Sequence, residues 1–191
     1  MTPGIDLIRR WWHHACDASR RHWKQRYLVV NFQSGSFTMN EHENVNVVKD
    51  AYRAFGEGNL EELLAVLDDC VKWFSIGPPH LIPTAGTRYG PEQVQQYFSL
   101  LRSSGQLKGC WPLEFIAEGD KVVTIGEWLS EVKTSGSLIR SPWVHVFTLR
   151  DGKICEFRSF YDTAAVISGL ESPRPARRVT AASKLERPVI Y

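Results

Sequence analysis

Apolar residues recur every three or four positions in two stretches after residue 40, a spacing typical of amphipathic helices. The first predicted helix would bury Val45, Val48, Tyr52 and Phe55. We expect Asn44 to cap its start, because a short side-chain oxygen can accept a free amide hydrogen of the first turn. Gly56 and Gly58 then end it. Asn59 is expected to cap a second helix, with Glu62 at the capping-box position and an apolar stripe of Leu60, Leu63, Leu64 and Leu67.

The pattern then changes to alternation, which is typical of strands. Residues 70–76 are predicted to form a strand, and residues 77–90, with three prolines and three glycines, a long loop. Pro91 suits the first position of a third helix, where its missing N–H costs nothing. Four further strands are predicted at 111–117, 122–132, 138–149 and 153–161. Asp151-Gly152 is a strong signal for a two-residue hairpin, so these strands should form an antiparallel meander. A short helix is predicted at 164–167.

Composition favours a globular domain with basic ends. The chain has 191 residues with a net charge of +2, distributed as +4 in residues 1–40, −5 in 41–170 and +3 in 171–191. We therefore expect a domain at 41–170, a loosely ordered basic extension at 1–40 that includes Trp11, Trp12 and Trp23, and a basic proline-containing tail at 171–191. The extension could alternatively contact a membrane or a partner. An acidic domain gives no support for nucleic-acid binding.

No sequence feature indicates a membrane span, a cofactor or a metal site. No apolar run reaches the roughly 18–20 residues that a span needs, and the charged N-terminal stretch does not resemble a secretory signal, so a cytoplasmic location is expected. The four cysteines form no CxxC pair, and we expect those in strands to be buried reduced thiols. Glycine-rich phosphate loops, GxSxG and HExxH are absent from the sequence, so cofactor-independent action is expected.

Several ordered segments resemble a known superfamily. These are WFSIGPP at 73–79, AGTRYGPEQVQQYF at 85–98, WVHVFTLRDGKI at 143–154 and FRSFYDTAAV at 157–166. In wording and in element order they are similar to the SnoaL-like, nuclear-transport-factor-2-like proteins. The resemblance implies an α+β fold in which three N-terminal helices cover a cone-shaped, mostly antiparallel sheet around an apolar pocket. Relatives include polyketide cyclases, ketosteroid isomerases and proteins that only bind or dimerise, so a homodimer through the sheet is also implied.

Asp162 and His145 are the first candidates for proton transfer. Asp162 ends the last predicted strand at the position where FRSFYD resembles its relatives, and it could act as acid or base. Alternatively, it caps the short helix that follows. His145 alternates with Trp143 and Phe147, so the three side chains share one face of a strand. It is either part of the packed core or a pocket group whose titration range suits proton transfer.

Charged residues on the neighbouring strands have two interpretations. Arg158 should lie on the same side of its strand as Asp162, where it could orient the carboxylate, or it could be a solvated charge on the outer face. If Trp128 faces the pocket, Glu127 and Glu131 must point outward, because neighbouring side chains of a strand alternate. Limonene epoxide hydrolase, which the last strand resembles, carries an aspartate where this chain has Ser159, so epoxide hydrolysis is not expected.

The aromatic residues predict the nature of the ligand. The chain holds more aromatic side chains than a small core needs, and pockets are usually apolar with a few polar anchors. The predicted ligand-contacting residues are Tyr52, Trp73, Tyr97, Trp111, Trp128, Trp143 and Ser159. The sequence therefore predicts cofactor-free isomerase, cyclase or dehydratase chemistry on a small apolar ring-containing molecule, with Asp162, His145 and Arg158 as catalytic residues. The alternative is a ligand-binding or dimerising module without catalysis.

Overall fold

A computed structural model describes residues 39–172, and the predictions for the basic extension and for nearly all of the C-terminal tail lie outside this range. The elements follow in the order α1 (Met39–Gly56), α2 (Leu60–Ala65), β1 (Leu67–Ser75), β2 (Gly86–Tyr89), α3 (Gly90–Ser104), β3 (Gly105–Glu118), β4 (Lys121–Val132), β5 (Leu138–Arg150), β6 (Lys153–Tyr161) and α4 (Thr163–Glu171). None of the helices within 39–172 is both long and apolar enough to cross a membrane.

The strands form one sheet in the order β2-β1-β6-β5-β4-β3. The last four strands pair antiparallel with their neighbours in sequence, as the predicted meander requires. β1 joins this meander in parallel beside β6, and β2 pairs antiparallel with β1 at the edge. With α1, α2 and α3 packed against it, this sheet confirms the predicted α+β class and its three covering helices.

Local turn and capping chemistry accounts for several boundaries. Asp151 and Gly152 both have positive φ, 52° and 73°, as the predicted hairpin requires. Asn59 caps α2, since its side chain accepts a hydrogen bond from the amide of Glu62 at 3.1 Å. The apolar stripe of α2 is shorter than predicted, because Leu67 begins β1 and is buried there.

The predicted start of α1 is wrong. The helix begins at Met39, and Asn44 lies inside it with only 5% of its surface exposed. Its side-chain amide donates to the carbonyl oxygen of Gly119 at 3.1 Å, and Glu41 accepts a hydrogen bond from the amide of Gly119 at 2.8 Å. The turn between β3 and β4 thus binds the first turns of α1, a contact that local sequence cannot show.

Two other predictions also need correction. Residues 86–89 of the predicted loop form β2, which pairs with β1 and hydrogen-bonds to the backbone groups along its outer edge. Cys70, expected to be buried, is exposed on β1, whereas Cys110 and Cys155 are half-buried and all three thiols are free. The core between the sheet and the helices is built by apolar side chains from every layer, among them Val48, Leu63, Val71, Trp73, Val94, Phe147 and Phe157.

Candidate functional site

A row of polar side chains crosses the inner face of the sheet. Ser75 pairs with Ser159, Ser159 with His145, and His145 with Thr124. Paired residues on neighbouring strands point to the same face, so β1, β6, β5 and β4 each contribute one polar group. Ser75 and Thr124 are fully buried and Ser159 is 3% exposed. An uncharged polar row therefore lies within an apolar surface.

Larger rings flank this row on both sides. The row before it contains Trp73, Phe157 and Phe147, with the Trp73 and Phe157 rings stacked at 3.8 Å between centroids. The row after it contains Tyr161 and Trp143, which pair across β6 and β5. Trp143 approaches Gly126 of β4 so closely that a Cβ there would lie 2.3 Å from its ring. Glycine at 126 is therefore needed to admit the indole.

A cavity of about 260 Å³ lies between this surface and the helices. Its wall is mostly aliphatic and aromatic, and its polar groups include Tyr52, Tyr97, Ser130, His145, Ser159, Tyr161 and the exposed Arg102. Within residues 39–172, no aspartate or glutamate lines it. Such a wall suits an apolar ligand with a few hydrogen-bonding groups. The same range contains no cluster of three or more acidic, histidine or cysteine side chains that could hold a metal ion.

His145 and Tyr52 form the central polar pair of the cavity. The Tyr52 hydroxyl, which comes from α1, lies 2.8 Å from Nδ1 of His145. Trp143 stacks on the imidazole at 4.0 Å, and Phe157 meets its edge at 4.9 Å. The ring is thus held between two aromatic neighbours and one hydrogen bond. Its other nitrogen, Nε2, forms no hydrogen bond to another part of the described chain and remains available to a ligand.

Burial keeps three ionisable groups of the cavity, His145, Tyr52 and Cys110, neutral. Removal from water disfavours a charged imidazole and lowers the pKa of His145 to about 3. The same effect raises the pKa of Tyr52 well above its usual value, and it raises the pKa of the Cys110 thiol to about 12. At pH 7 these three groups are therefore a neutral imidazole, a neutral phenol and a protonated thiol.

The aromatic residues predicted to contact a ligand divide into three groups. Tyr52, Trp73, Tyr97 and Trp128 line the cavity, as does Ser159. Trp143 is 2% exposed and supports His145 from behind. Trp111 does not face the cavity: it pairs with Glu127, and its indole covers Gly109 of its own strand, while Cys110 between them points inward. The alternation of β3 thus corrects the placement of Trp111.

Asp162 and Arg158 lie outside the cavity and apart from His145. Asp162 is exposed, and its carboxylate accepts the amide hydrogen of Ala165 at 2.9 Å as the N-cap of α4. The structure therefore favours the capping alternative. Arg158 is exposed on the outer face, where its guanidinium lies 5.3 Å from the centre of the Phe160 ring. Of the three predicted catalytic residues, only His145 lines the cavity.

The outward orientation of the glutamates follows the prediction. Trp128 lines the cavity, and Glu127 pairs with Arg140 on the other side of β4. Glu131 pairs likewise with Lys108 at 2.7 Å. The sequence reasoning did not select Tyr161 or Cys110, which line the cavity, nor Ser75 and Thr124 behind it. The inward position of Tyr161 could have been predicted, because Tyr161 lies two residues after Ser159 and therefore shares its face of the strand.

Comparison with known proteins identifies the family. The SnoaL-like domain model matches residues 48–157, which is more than half of the chain. The chain belongs to the SnoaL-like family. A search of curated proteins found no significant match.

Solved structures share this SnoaL-like fold. A nuclear-transport-factor-2-like protein from Burkholderia xenovorans LB400 is 29% identical with a TM-score of 0.64, and the match covers 70% of this chain and 100% of that one. TerC, co-crystallised with polyporic acid, is 26% identical with a TM-score of 0.61 over 68% and 99% of the two chains. A candidate SnoaL-like polyketide cyclase from Jannaschia sp. CCS1 is 20% identical with a TM-score of 0.64, over 73% and 99%, and shows the fold alone.

Proposed function

We propose that this SnoaL-like protein catalyses proton transfer on a small, apolar, ring-containing carbonyl compound, with His145 as the base and Tyr52 as its partner. The observation that carries the proposal is the 2.8 Å contact between Tyr52 and Nδ1 of His145 inside an apolar cavity, with Nε2 left for the ligand. The proposed chemistry uses only side chains of this chain, consistent with the cofactor-independent action expected from the sequence.

The step begins with the tautomer in which Nδ1 carries the proton and donates to the oxygen of Tyr52. Nε2 then takes a proton from a carbon next to the ligand carbonyl. The C–H electron pair forms a C=C bond, and the C=O π pair moves to the oxygen, which gives an enolate. The imidazolium is stabilised by its bond to Tyr52 and by the adjacent negative charge. In a ligand with a second C=C bond conjugated to the enolate, the proton returns at the far carbon of that bond. The carbonyl re-forms and the C=C bond is shifted, which completes an isomerisation.

A ring-containing ligand is supported by the walls and by one relative. Trp73, Phe157 and Trp128 line the cavity, and contacts between aromatic rings favour a ligand that contains a ring. The TerC crystals contained polyporic acid, which makes this compound a first ligand to test. The absence of a carboxylate from the cavity wall within residues 39–172 also spares a carbonyl ligand from repulsion by a buried negative charge.

Exchange of ketone α-hydrogens with solvent deuterium tests the base directly. With 2-tetralone as the probe, we expect the protein to accelerate exchange measured by NMR. His145→Gln should lower this acceleration by about 10²–10⁴-fold, the usual effect of losing a positioned base. The matched control is His80→Gln, since His80 is exposed and lies outside the cavity. Equal exchange rates for folded His145→Gln and the parent protein would contradict the assignment.

The alternative, a binding module without catalysis, is supported by the position of His145 in the apolar cavity against Trp143. Burial there lowers the pKa of the imidazole, and a weakly basic imidazole suits a neutral anchor for a ligand as well as a base. Saturable binding of 2-tetralone by calorimetry, without accelerated exchange of its α-hydrogens in the parent protein, would establish this alternative in place of the enzyme. The cytoplasmic location expected from the sequence remains a prediction.

We also propose that two copies associate through the outer face of the sheet. Ile116 and Val144 are 50% and 37% exposed there, and Val123, Ile125 and Val146 extend the same apolar surface. A contiguous exposed apolar surface is typical of an interaction site. Sedimentation should show a dimer that Val144→Glu dissociates. A monomeric parent protein at micromolar concentration would refute the proposal.

A further inference from the structure

Tyr97 and Tyr161 bring two phenols together at the end of the polar row opposite Thr124. Both line the cavity, Tyr97 from α3 and Tyr161 from β6. The buried hydroxyl of Ser75 lies 3.4 Å from that of Tyr161 and also interacts with Tyr97. Burial raises the pKa of Tyr97, with a further contribution from Tyr161, so the Tyr97 phenol keeps its proton. Each of the two hydroxyls carries a hydrogen that can be donated into the cavity.

Arg88 places a positive charge behind this group. Its guanidinium carbon lies 5.2 Å from the centre of the Tyr97 ring, within the range of a cation–π contact. Nη1 donates to the carbonyl oxygen of Thr84 at 2.9 Å, and Nη2 donates to that of Pro83 at 3.1 Å. No carboxylate in residues 39–172 forms an ion pair with Arg88. Carbonyl groups of the loop before β2 therefore hold the guanidinium of Arg88 in place. Its positive charge is not neutralised by any acidic group within residues 39–172.

The position of this charge has a consequence for the ligand. A cation beside a phenol stabilises negative charge on the phenol oxygen. Arg88 accordingly lowers the pKa of Tyr97 and so offsets part of the rise that burial causes. The same field acts on any ligand oxygen that accepts a hydrogen bond from Tyr97. In an apolar cavity such a field is screened less than in water. This end of the cavity is thus suited to an oxygen that gains negative charge.

We propose that Tyr97 and Tyr161 donate hydrogen bonds to the ligand oxygen that becomes the enolate oxygen, and that Arg88 is a positioning residue that stabilises this charge through Tyr97. The inference deepens the proposed function and rests on it for the origin of the enolate. It assigns the substrate class as compounds whose carbonyl oxygen reaches this pair while an adjacent C–H reaches His145. It also implies that acidic phenols of similar size bind as their anions.

Binding of 4-nitrophenol tests the charge without any turnover, because its phenolate is distinguished from the neutral phenol by absorbance. We expect the parent protein to lower the pKa of bound 4-nitrophenol. Arg88→Met should weaken phenolate binding about tenfold, as expected for loss of a partly desolvated cation–π contact. Tyr97→Phe should weaken it by about 10–100-fold, the usual range for a hydrogen bond to a charged group. Neutral-phenol affinity should change little in both variants.

Two further variants separate charge from structure. Tyr89→Phe is the matched control. Tyr89 follows Arg88 in β2 and is 59% exposed, so this variant should leave phenolate binding unchanged. Arg88→Lys retains the charge and should recover part of the effect that Arg88→Met loses. Equal pKa values for bound 4-nitrophenol in the parent, Arg88→Met and Tyr97→Phe proteins would overturn the proposal. This result would leave the deuterium-exchange assay of His145 unaffected, so failure of the two proposals can be distinguished.

Discussion

The two faces of the sheet differ in the charge of their side chains. On the inner face, the row from Ser75 to Thr124 contains hydrogen-bonding groups without a formal charge. On the outer face, Lys72 pairs with Glu156, and Arg140 pairs with Glu127. Alternation along each strand separates the two sets by one residue. The inner face of this sheet therefore contributes hydrogen-bonding groups but no charged side chains to the cavity.

The physical reason is the cost of desolvation. An ionised side chain moved into an apolar interior loses its hydration, and the group becomes neutral unless it is paired. His145 follows this rule through its lowered pKa. Arg88 is the informative exception, because it stays at the edge of the sheet and directs its charge at Tyr97 from outside the cavity wall. Arg88 thus acts on the cavity without lining it, whereas the exposed Arg102 of α3 is part of the lining.

Introducing a carboxylate on each face should give the largest contrast. Val122 is fully buried on the inner face beside Phe147, whereas Thr87 is exposed on the outer side of β2. Val122→Asp should lower the free energy of unfolding by about 3–5 kcal/mol, the cost of an uncompensated buried charge. Thr87→Asp should change it by less than about 0.5 kcal/mol. Urea unfolding at pH 7 measures both.

A volume control separates charge from packing in this comparison. Val122→Thr has nearly the shape of valine, and its buried hydroxyl should cost about 1–3 kcal/mol, less than the aspartate. If Val122→Asp were no more destabilising than Val122→Thr, the exclusion of charge from the inner face would not be energetic in origin.

The pH dependence of stability should show the neutral state of His145. The folded pKa of about 3 lies below the ordinary value of 6.5, so the unfolded chain binds the proton first as the pH falls. This contribution to stability is therefore complete above pH 6.5 and is lost progressively towards pH 3. Between pH 6 and pH 4 it amounts to about 2.5 kcal/mol from the two pKa values.

The variant His145→Gln separates the contribution of His145 to the pH dependence of stability from that of the many carboxylates. The difference in unfolding free energy between parent and variant should change by that amount from pH 6 to pH 4, as measured by urea unfolding at each pH. His80→Gln, on the exposed loop, should track the parent. A constant difference between parent and His145→Gln over this interval would show that the folded imidazole titrates normally.

The sequence predicted well those features that depend on local pattern and on strand alternation. The hairpin at Asp151-Gly152 requires two residues with positive φ, and the dipeptide itself indicates this. The inward position of Trp128 and the outward position of Glu127 follow from neighbours alternating on one strand. His145 was identified because it lies between two aromatic residues on the same face.

Features that depend on pairing between distant segments could not be predicted. β2 carries no apolar alternation and becomes a strand because β1 offers it an unpaired edge. The partnership of Ser75 with Ser159 needs the parallel register of β1 and β6, which no local signal specifies. The role proposed for Arg88 depends on both. Asp162 was ambiguous for another reason, since a cap and a pocket carboxylate have the same local sequence.

Asp162→Ala should have the smallest effect and sharpens the comparison between cavity and exterior. Loss of the N-cap bond to Ala165 should reduce the free energy of unfolding by about 1 kcal/mol. Because the carboxylate lies outside the cavity, the rate of 2-tetralone exchange should remain within about twofold of the parent, against the 10²–10⁴-fold loss expected for His145→Gln. Thermal unfolding and the exchange assay provide the two measurements.

Asp162→Ser distinguishes capping from chemistry, because serine is also a good N-cap residue but carries no charge. If Asp162 only caps α4, this variant should recover most of the stability lost by Asp162→Ala, with exchange unchanged in both. A catalytic carboxylate would behave in the opposite way, since serine would restore stability without restoring turnover. A large loss of exchange in the stable Asp162→Ser protein would therefore move the acid/base role from His145 back to Asp162.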